Sequence, residues 1–341
     1  MSKQELTATF PTDSAVELRE VTKTFTQWQR DNTGKGLLKN LIKPEKRVVK
    51  ALDQVSFRIN KGEFVAYAGP NGSGKSTTMK LLCGMLLPSS GDISVLSLPP
   101  QHQRIALMGR VGVLFGNRTE LWWDHPIIQS FEWKKVVWNI PDEVYRRNLS
   151  MVCDLLDLGP ILRTFARELS LGQRMRADLG MMLLHSPELI LLDEPTLGLD
   201  VVAKRQMIDF LKSINKENGV TIMVTSHDMD DLEEMAQRIL MIAGGKIAFD
   251  GQFDGLRAIT GNLTRLTVTT GNGHFPSFDR AVLLSGENGV YEYEIDLAGL
   301  PIKQLMKTLS EFDGVRDVEI RKAPIEQVIA RLYERWRQEA V

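Results

Sequence analysis

One stretch limits what this chain can fold into more than any other: Gly69, Pro70, Asn71, Gly72, Ser73, Gly74, Lys75, Ser76 and Thr77. An apolar run, Phe64 to Ala68, precedes it and reads as a buried strand. A helical pattern carrying Met79, Leu81, Leu82, Met85 and Leu86 follows directly. Strand, glycine-rich turn and helix form the context of a phosphate-binding loop. The glycines remove the Cβ atoms that would stop the backbone curling, so the amides from Gly72 to Thr77 can converge on a polyphosphate at the positive end of the helix. Lys75 adds a charge for the β- and γ-phosphates, and the Ser76 hydroxyl is a ligand for Mg²⁺. The stretch predicts binding of a nucleoside triphosphate.

A second group of residues supplies chemistry suited to that ligand. Leu189 to Leu192 is a buried strand ending in two carboxylates, Asp193 and Glu194. At the C-terminal end of a strand, Asp193 is placed to hold Mg²⁺ through water, and Glu194 to orient and deprotonate an attacking water. Val220 to Thr225 is another strand, delivering Ser226 and His227, which makes His227 a candidate sensor of the γ-phosphate. Ser170 precedes a helix running from Arg174 to Leu184 and sits where an N-cap belongs. Leu197 to Asp200 reads as a tight turn into a further helix. Phe25 or Trp28 could stack on a base or belong to the core, with Phe25, at a strand end, preferred.

Bulk properties limit the other function classes. With 341 residues, 43% hydrophobic and 25% charged, the chain is expected to form one large domain and a smaller one. A net charge of −1 exerts no global pull toward nucleic acid or membrane. Cys83 and Cys153 form no metal-type pair and suit a reducing compartment. No run approaches a membrane span, and the polar start is unlike a signal peptide, so the chain is expected to be soluble by itself. Local patches matter more. Residues 26 to 50 contain Arg30, Lys35, Lys39, Lys43, Lys46, Arg47 and Lys50 against Asp31 and Glu45, with Leu37, Leu38, Leu41 and Ile42 at helical spacing. This is either a solvated loop with a helix on the core or a basic amphipathic contact for a membrane surface or partner. Residues 127 to 168 read as wholly helical, with Trp122, Trp123, Trp133 and Trp138 mostly core, an exposed pair marking a protein-binding surface instead. After Asn262 the strands Leu266 to Val268 and Tyr291 to Ile295, a helix with Leu305 and Leu309, a strand at 315–320 and a helix opening at Pro324 predict a small α+β domain.

Taken in order, the loop at 69–77, the Asn117 loop, Leu169-Ser-Leu-Gly-Gln173, Leu189 to Pro195, Leu197 to Asp200 and Ser226-His227 resemble the ATP-binding subunit of an ABC transporter over about residues 16 to 260. The resemblance implies an α/β P-loop NTPase core over residues 1–262, with a helical subdomain at about 117–185 and an accessory domain at 263–341. It implies ATP and Mg²⁺ as cofactors and a head-to-tail dimer, with itself or a paralogue. Each ATP would lie between one protomer's phosphate loop and the Ser170, Gly172 and Gln173 segment of the other, with Asp200 nearby. It also implies a separate membrane permease, a peripheral position on the cytoplasmic face of the membrane, and no nucleic-acid partner.

The wording LSLGQRMRADL and LFGNRTELWWDHP is most similar to bacterial drug-efflux exporters. Two departures stand out. Leu171 replaces a glycine common in the family, and Asn117 occupies the position of a glutamine that reaches Mg²⁺ and the attacking water from the side meeting the membrane subunit. Asn117 keeps the amide but is one methylene shorter. From Lys75 to Asp193 is 193−75 = 118 residues, too short to enclose a long coiled coil, and there is a single motif set. The alternatives are an ABC ATPase acting on a soluble partner and the ATPase of an importer.

Overall fold

The computed structural model describes residues 13–29, 45–115, 119–259, 263–271, 277–278, 281–296 and 300–322, together with Ile325, Ile329 and Leu332. Two compact units divide the chain, residues 1–250 and 251–341, a division twelve residues ahead of the boundary expected at 262 (262−250 = 12).

In the first unit, β1 (Ser14–Gln29) and β2 (Glu45–Asn60) pair antiparallel from Ser14↔Asn60 to Gln29↔Glu45. The strands are longer than expected, because both ends of the basic segment continue the ladder. Its middle, residues 30–44, and the side chains of Trp28 and Lys46 lie outside the described residues, and the helical reading of that stretch lies outside them too. The alternating Val16, Leu18, Val55, Phe57 and Ile59 all face the core. β3 (Phe64–Ala68) has all five residues buried, as a strand covered on both faces requires. α1 (Lys75–Leu82) follows and buries Met79, Leu81 and Leu82. Truncating one such leucine to alanine costs ~2–5 kcal/mol. β4 (Ser90–Val95) joins β1, giving the antiparallel order β2-β1-β4.

α2 (Arg104–Met108) leads to β5 (Val111–Phe115). Between residues 127 and 168 the expected continuous helix is broken into α3 (Ile127–Val137), α4 (Asp142–Leu156) and two single turns at 159–161 and 166–168. Asn139, at φ 48°, turns the chain, and Pro141 then sets the dihedrals that start α4. Three tryptophans are also not core: Trp122, Trp123 and Trp133 are 38%, 47% and 40% exposed. Trp138 instead stacks on His185.

α5 (Leu171–Leu183), β6 (Leu189–Asp193), α6 (Val201–Asn218), β7 (Thr221–Thr225), α7 (Met229–Met235), β8 (Arg238–Ala243) and β9 (Lys246–Gln252) complete a six-stranded sheet in the order β5-β6-β7-β3-β8-β9. β5, β6, β7, β3 and β8 run parallel. The C-terminal ends of β3, β6 and β7 therefore open on one edge, where open α/β sheets take their ligands.

The second unit contains α8 (Phe253–Ile259), β10 (Leu263–Thr270), β11 (Ala281–Glu287), β12 (Val290–Asp296), α9 (Ile302–Glu311) and β13 (Val315–Lys322). Its sheet is antiparallel in the order β11-β12-β10-β13. Leu266, Val268, Tyr293 and Ile295 of the sheet meet Leu305 and Leu309 of α9 in one core. Ile325, Ile329 and Leu332 are buried at helical spacing, whereas Val328 and Tyr333 lie outside the described residues.

Candidate functional site

The loop after β3 is shaped by close backbone contacts. A Cβ on Gly69 would lie 2.3 Å from the Ile242 carbonyl oxygen and 2.6 Å from Ser73 Oγ, so no larger residue fits. Gly74, at φ 117°, would bring a Cβ within 2.7 Å of the Ala51 carbonyl, which seats the loop against β2. Gly74 is the N-cap of α1, has no side chain to satisfy the first helical amides, and no acid follows in the first turn. Those amides remain available at the positive end of the helix. Pro70, Asn71, Gly72 and Ser76 are exposed, Thr77 is half-buried, and Ser73, Gly74 and Lys75 are buried. Ser73 Oγ is buried without a hydrogen-bond partner. Lys75 Nζ crosses the loop and donates to the carbonyls of Gly69 (2.7 Å) and Pro70 (3.3 Å). Burial holds the Lys75 ammonium below the usual lysine range, against the opposing pull of Glu194 and Asp193.

Asp193 joins the loop to the sheet. Ser76 Oγ donates to Asp193 Oδ2 at 2.9 Å, and Thr225 Oγ1 donates to Asp193 Oδ1 at 2.7 Å. The Glu194 amide returns to the same threonine, donating to its hydroxyl and its carbonyl, each at 3.1 Å. Glu194 stands at φ 59°, left-handed for a residue with a side chain. Such backbone persists only where neighbouring bonds impose it, at a cost of ~1–3 kcal/mol. The turn aims its carboxylate at His227, whose Nε2 lies 2.7 Å from Glu194 Oε1. The His227 segment is itself anchored: Asp228 caps α7 by accepting from the Asp231 amide, and Lys204 of α6 pairs with Asp228 at 2.7 Å and Asp231 at 3.1 Å.

Among the described residues no group of three or more histidines, cysteines or acids could hold a metal alone. The pair at hand is a hydroxyl and a carboxylate, two hard oxygen donors 2.9 Å apart beside a phosphate loop. That set suits Mg²⁺, which keeps several waters and takes one or two carboxylates plus phosphate oxygens.

Ser170, Gly172, Gln173 and Asp200 form a separate group. Ser170 caps α5 in a reciprocal box, its hydroxyl accepting from the Gln173 amide and its own amide donating to Gln173 Oε1. Asp200 caps α6 by accepting from the Ala203 amide at 2.8 Å. The two caps are neighbours: a Cβ on Gly172 would lie 3.3 Å from Ala203 Cβ, and one on Gly198 would lie 3.0 Å from Leu171 Cδ2. Among the described residues no hydrogen bond or ion pair joins these four to Ser76, Asp193, Glu194 or His227. Phe25 pairs in register with Val49, two residues from Ala51, and the Lys23 ammonium lies 5.1 Å from its ring. Asn117 lies outside the described residues.

Two residues that sequence reading overlooks carry hydrogen bonds between distant segments. Thr225 reads as an ordinary β-branched strand residue, yet it bonds both Asp193 and the Glu194 backbone. Asp178 is a buried acid on α5, accepting from Thr119 Oγ1 (2.8 Å) and the Glu120 amide (3.1 Å). Burial pushes its carboxyl up to about 6, only partly offset by those donors. An acid inside the apolar run Ala177 to Leu183 was the available signal.

The comparisons with known proteins agree with this geometry. The family model described as ABC transporter matches residues 52–197. The probable multidrug ABC transporter ATP-binding protein YbhF of Escherichia coli is 34% identical over 218 residues, covering 62% of this chain and 36% of that protein, so this chain spans about a third of that relative. The putative ABC transporter ATP-binding protein CA_C1368 of Clostridium acetobutylicum is 30% identical, covering 59% of this chain and 73% of that protein. The glucose import ATP-binding protein GlcV of Saccharolobus solfataricus is 29% identical, covering 72% and 76%. A solved dimeric ATP-binding cassette in a post-hydrolysis state shares the fold at TM-score 0.57 and 24% identity, covering 70% of this chain and 98% of that one. With the phosphate loop, the Asp193 strand and the capped Ser170 helix on one scaffold, the chain belongs to the ABC transporter family, among its ATP-binding proteins.

Proposed function

We propose that this chain binds and hydrolyses ATP to drive an ABC exporter whose membrane-spanning part is a separate permease. The observation that carries the reading is the pairing of Ser76 with Asp193 at 2.9 Å and of His227 with Glu194 at 2.7 Å, the two pairs tied together through Thr225, beside the phosphate loop. In this reading the α1 amides and Lys75 bind the phosphates, and Phe25 stacks on the base. Ser76 and Asp193 hold Mg²⁺, which when bound neutralises charge on the phosphates, with Asn117 reaching the same region. Glu194 takes the proton from the attacking water, and His227 holds Glu194 and meets the γ-phosphate.

Dimerisation is supported by the lack of any hydrogen bond or ion pair between the two groups among the described residues. In this reading Ser170, Gly172, Gln173 and Asp200 serve the nucleotide of a partner protomer. Beside them Leu171, Leu197, Val201 and Val202 are 45%, 49%, 83% and 67% exposed, an apolar surface suited to a second cassette.

Among the described residues no helix is long and apolar enough to cross a membrane. In this reading membrane attachment comes from the permease, at the cytoplasmic face, with anionic lipid contact from the basic segment between β1 and β2 as a supplement. Export is favoured by the wording around Ser170 and Trp122 and by the multidrug relative, whereas the glucose-import relative supports the opposite direction. Isolating the native complex, identifying its membrane chain and measuring ATP-dependent transport in inside-out vesicles decides between them. Accumulation inside such vesicles supports export, and a soluble partner in place of a permease overturns the transport reading.

A further inference from the structure

We propose that a cavity at the N-terminal ends of β6 and β7 is a binding site for a small organic anion with an apolar body, of the medium-chain carboxylate type. The cavity measures about 730 Å³ and lies between those strand ends, α4 and the last turn of α6. Pockets for small ligands run from about 300 to 1,000 Å³ and combine apolar walls with a few placed polar groups. Leu96, Met151, Leu183, Ile214 and Val220 supply the apolar walls here.

The walls are braced rather than free to collapse. Ser186 is held at φ 55° and Leu96 at φ 49°, both left-handed. Buried Asn148 pins the Ser186 turn, its Nδ2 donating to the Leu184 carbonyl at 2.9 Å and to Ser186 Oγ at 2.8 Å. On the facing side Asn215 Nδ2 ties the Gly62 and Val220 carbonyls at 2.9 and 2.8 Å. Left-handed residues held by polar bonds thus border an open volume, consistent with a largely preformed pocket.

Charge selects the ligand class. Three charged side chains line the cavity: Lys61, Arg147 and Glu188. Glu188 is committed to Arg110, which grips it with two bonds of 2.6 and 2.9 Å. Neither Lys61 nor Arg147 is in a contact ion pair among the described residues, although Lys61 lies close enough to help Arg110 hold the Glu188 carboxyl below its usual range, and Arg147 Nε is turned to Asn148 Oδ1 at 3.4 Å. The charge in excess is positive, and a guanidinium beside an apolar cavity matches a carboxylate with a hydrocarbon tail. None of these residues takes part in the phosphate site, so the two proposals stand or fall separately.

The test is calorimetric titration of the full chain with decanoate, and with decanol as the uncharged control. Saturable binding of one decanoate per chain is expected, with decanol weaker by about tenfold or more. Lys61→Glu with Arg147→Glu, both at the surface, should weaken decanoate by at least about tenfold, and Met151→Trp should block the cavity to a similar extent. ATP binding, measured in parallel, should be unchanged and confirms that the variants are folded. Absence of saturable binding, equal affinity for decanol, or undiminished decanoate binding in the charge-reversed protein overturns the proposal.

Discussion

Ser76 Oγ donates to Asp193 Oδ2 at 2.9 Å across 117 positions of sequence. A hydroxyl at the start of α1 and a carboxylate at the end of β6 thus meet with no intervening side chain, although β7 separates β6 from β3 in the sheet. The bond holds together the oxygen pair that suits a divalent cation, and the rest of the site is arranged around it.

Glu194→Gln should abolish turnover while leaving ATP binding intact. The amide keeps the shape and the hydrogen bond toward His227 but cannot accept a proton, and loss of a positioned base costs ~10²–10⁴-fold in rate. ATPase assays on the assembled complex, beside a nucleotide-binding assay, check this. Near-normal turnover removes Glu194 from the base role.

Lys75→Ala should weaken ATP binding by about tenfold or more, the equivalent of ~1.4 kcal/mol or above. The loop loses a charge already turned inward on the Gly69 and Pro70 carbonyls. Equilibrium titration with a fluorescent ATP analogue reads the effect, and an unchanged dissociation constant contradicts it.

Thr225→Val should lower kcat more than it raises KM for ATP. Valine keeps the strand shape but deletes the donor to Asp193 and one acceptor for the Glu194 amide. Unmet hydrogen bonds at buried groups cost ~1–3 kcal/mol, so a fall in unfolding free energy of that size should accompany the kinetic loss. Thr225→Ser, which restores the hydroxyl, should recover most of the rate; failure of that rescue assigns the defect to packing.

Asp178 should impose a pH dependence on stability. Its folded pKa, about 6, stands above the ordinary 3.8, so its contribution is fully present below about 4 and is lost as pH rises through 6. The shift corresponds to roughly 3 kcal/mol. His185 runs the other way, because burial lowers its pKa to about 4 and its contribution is lost as pH falls from 6.5 toward 4. The difference between wild type and Asp178→Asn therefore isolates the aspartate. Urea unfolding from pH 4 to 7 should show the variant gaining stability relative to wild type as pH rises, and parallel curves refute the assignment.

Much of this was legible in the order of residues because its causes are local. A glycine pattern between an apolar strand and a helix specifies a tight turn that leaves the start of the helix without a side-chain cap. An apolar run ending in Asp193 and Glu194 specifies a strand that presents carboxylates, and Ser170 followed by Gln173 specifies a capped helix. The small C-terminal sheet, with Leu266, Val268, Tyr293 and Ile295 inward, follows from period-two alternation. Tertiary structure decided what depends on contacts between distant segments. Strand order brings Ser76 to Asp193 and makes Thr225 the shared partner of Asp193 and Glu194, which no periodicity encodes. The left-handed turn at Glu194 is imposed by bonds from β7, not by the intrinsic preference of glutamate. The exposure of Trp122, Trp123 and Trp133 depended on which surfaces neighbouring elements covered. Proline at 141 broke a pattern that hydrophobic spacing alone carried straight through, because spacing reports which face is buried and is blind to a missing amide.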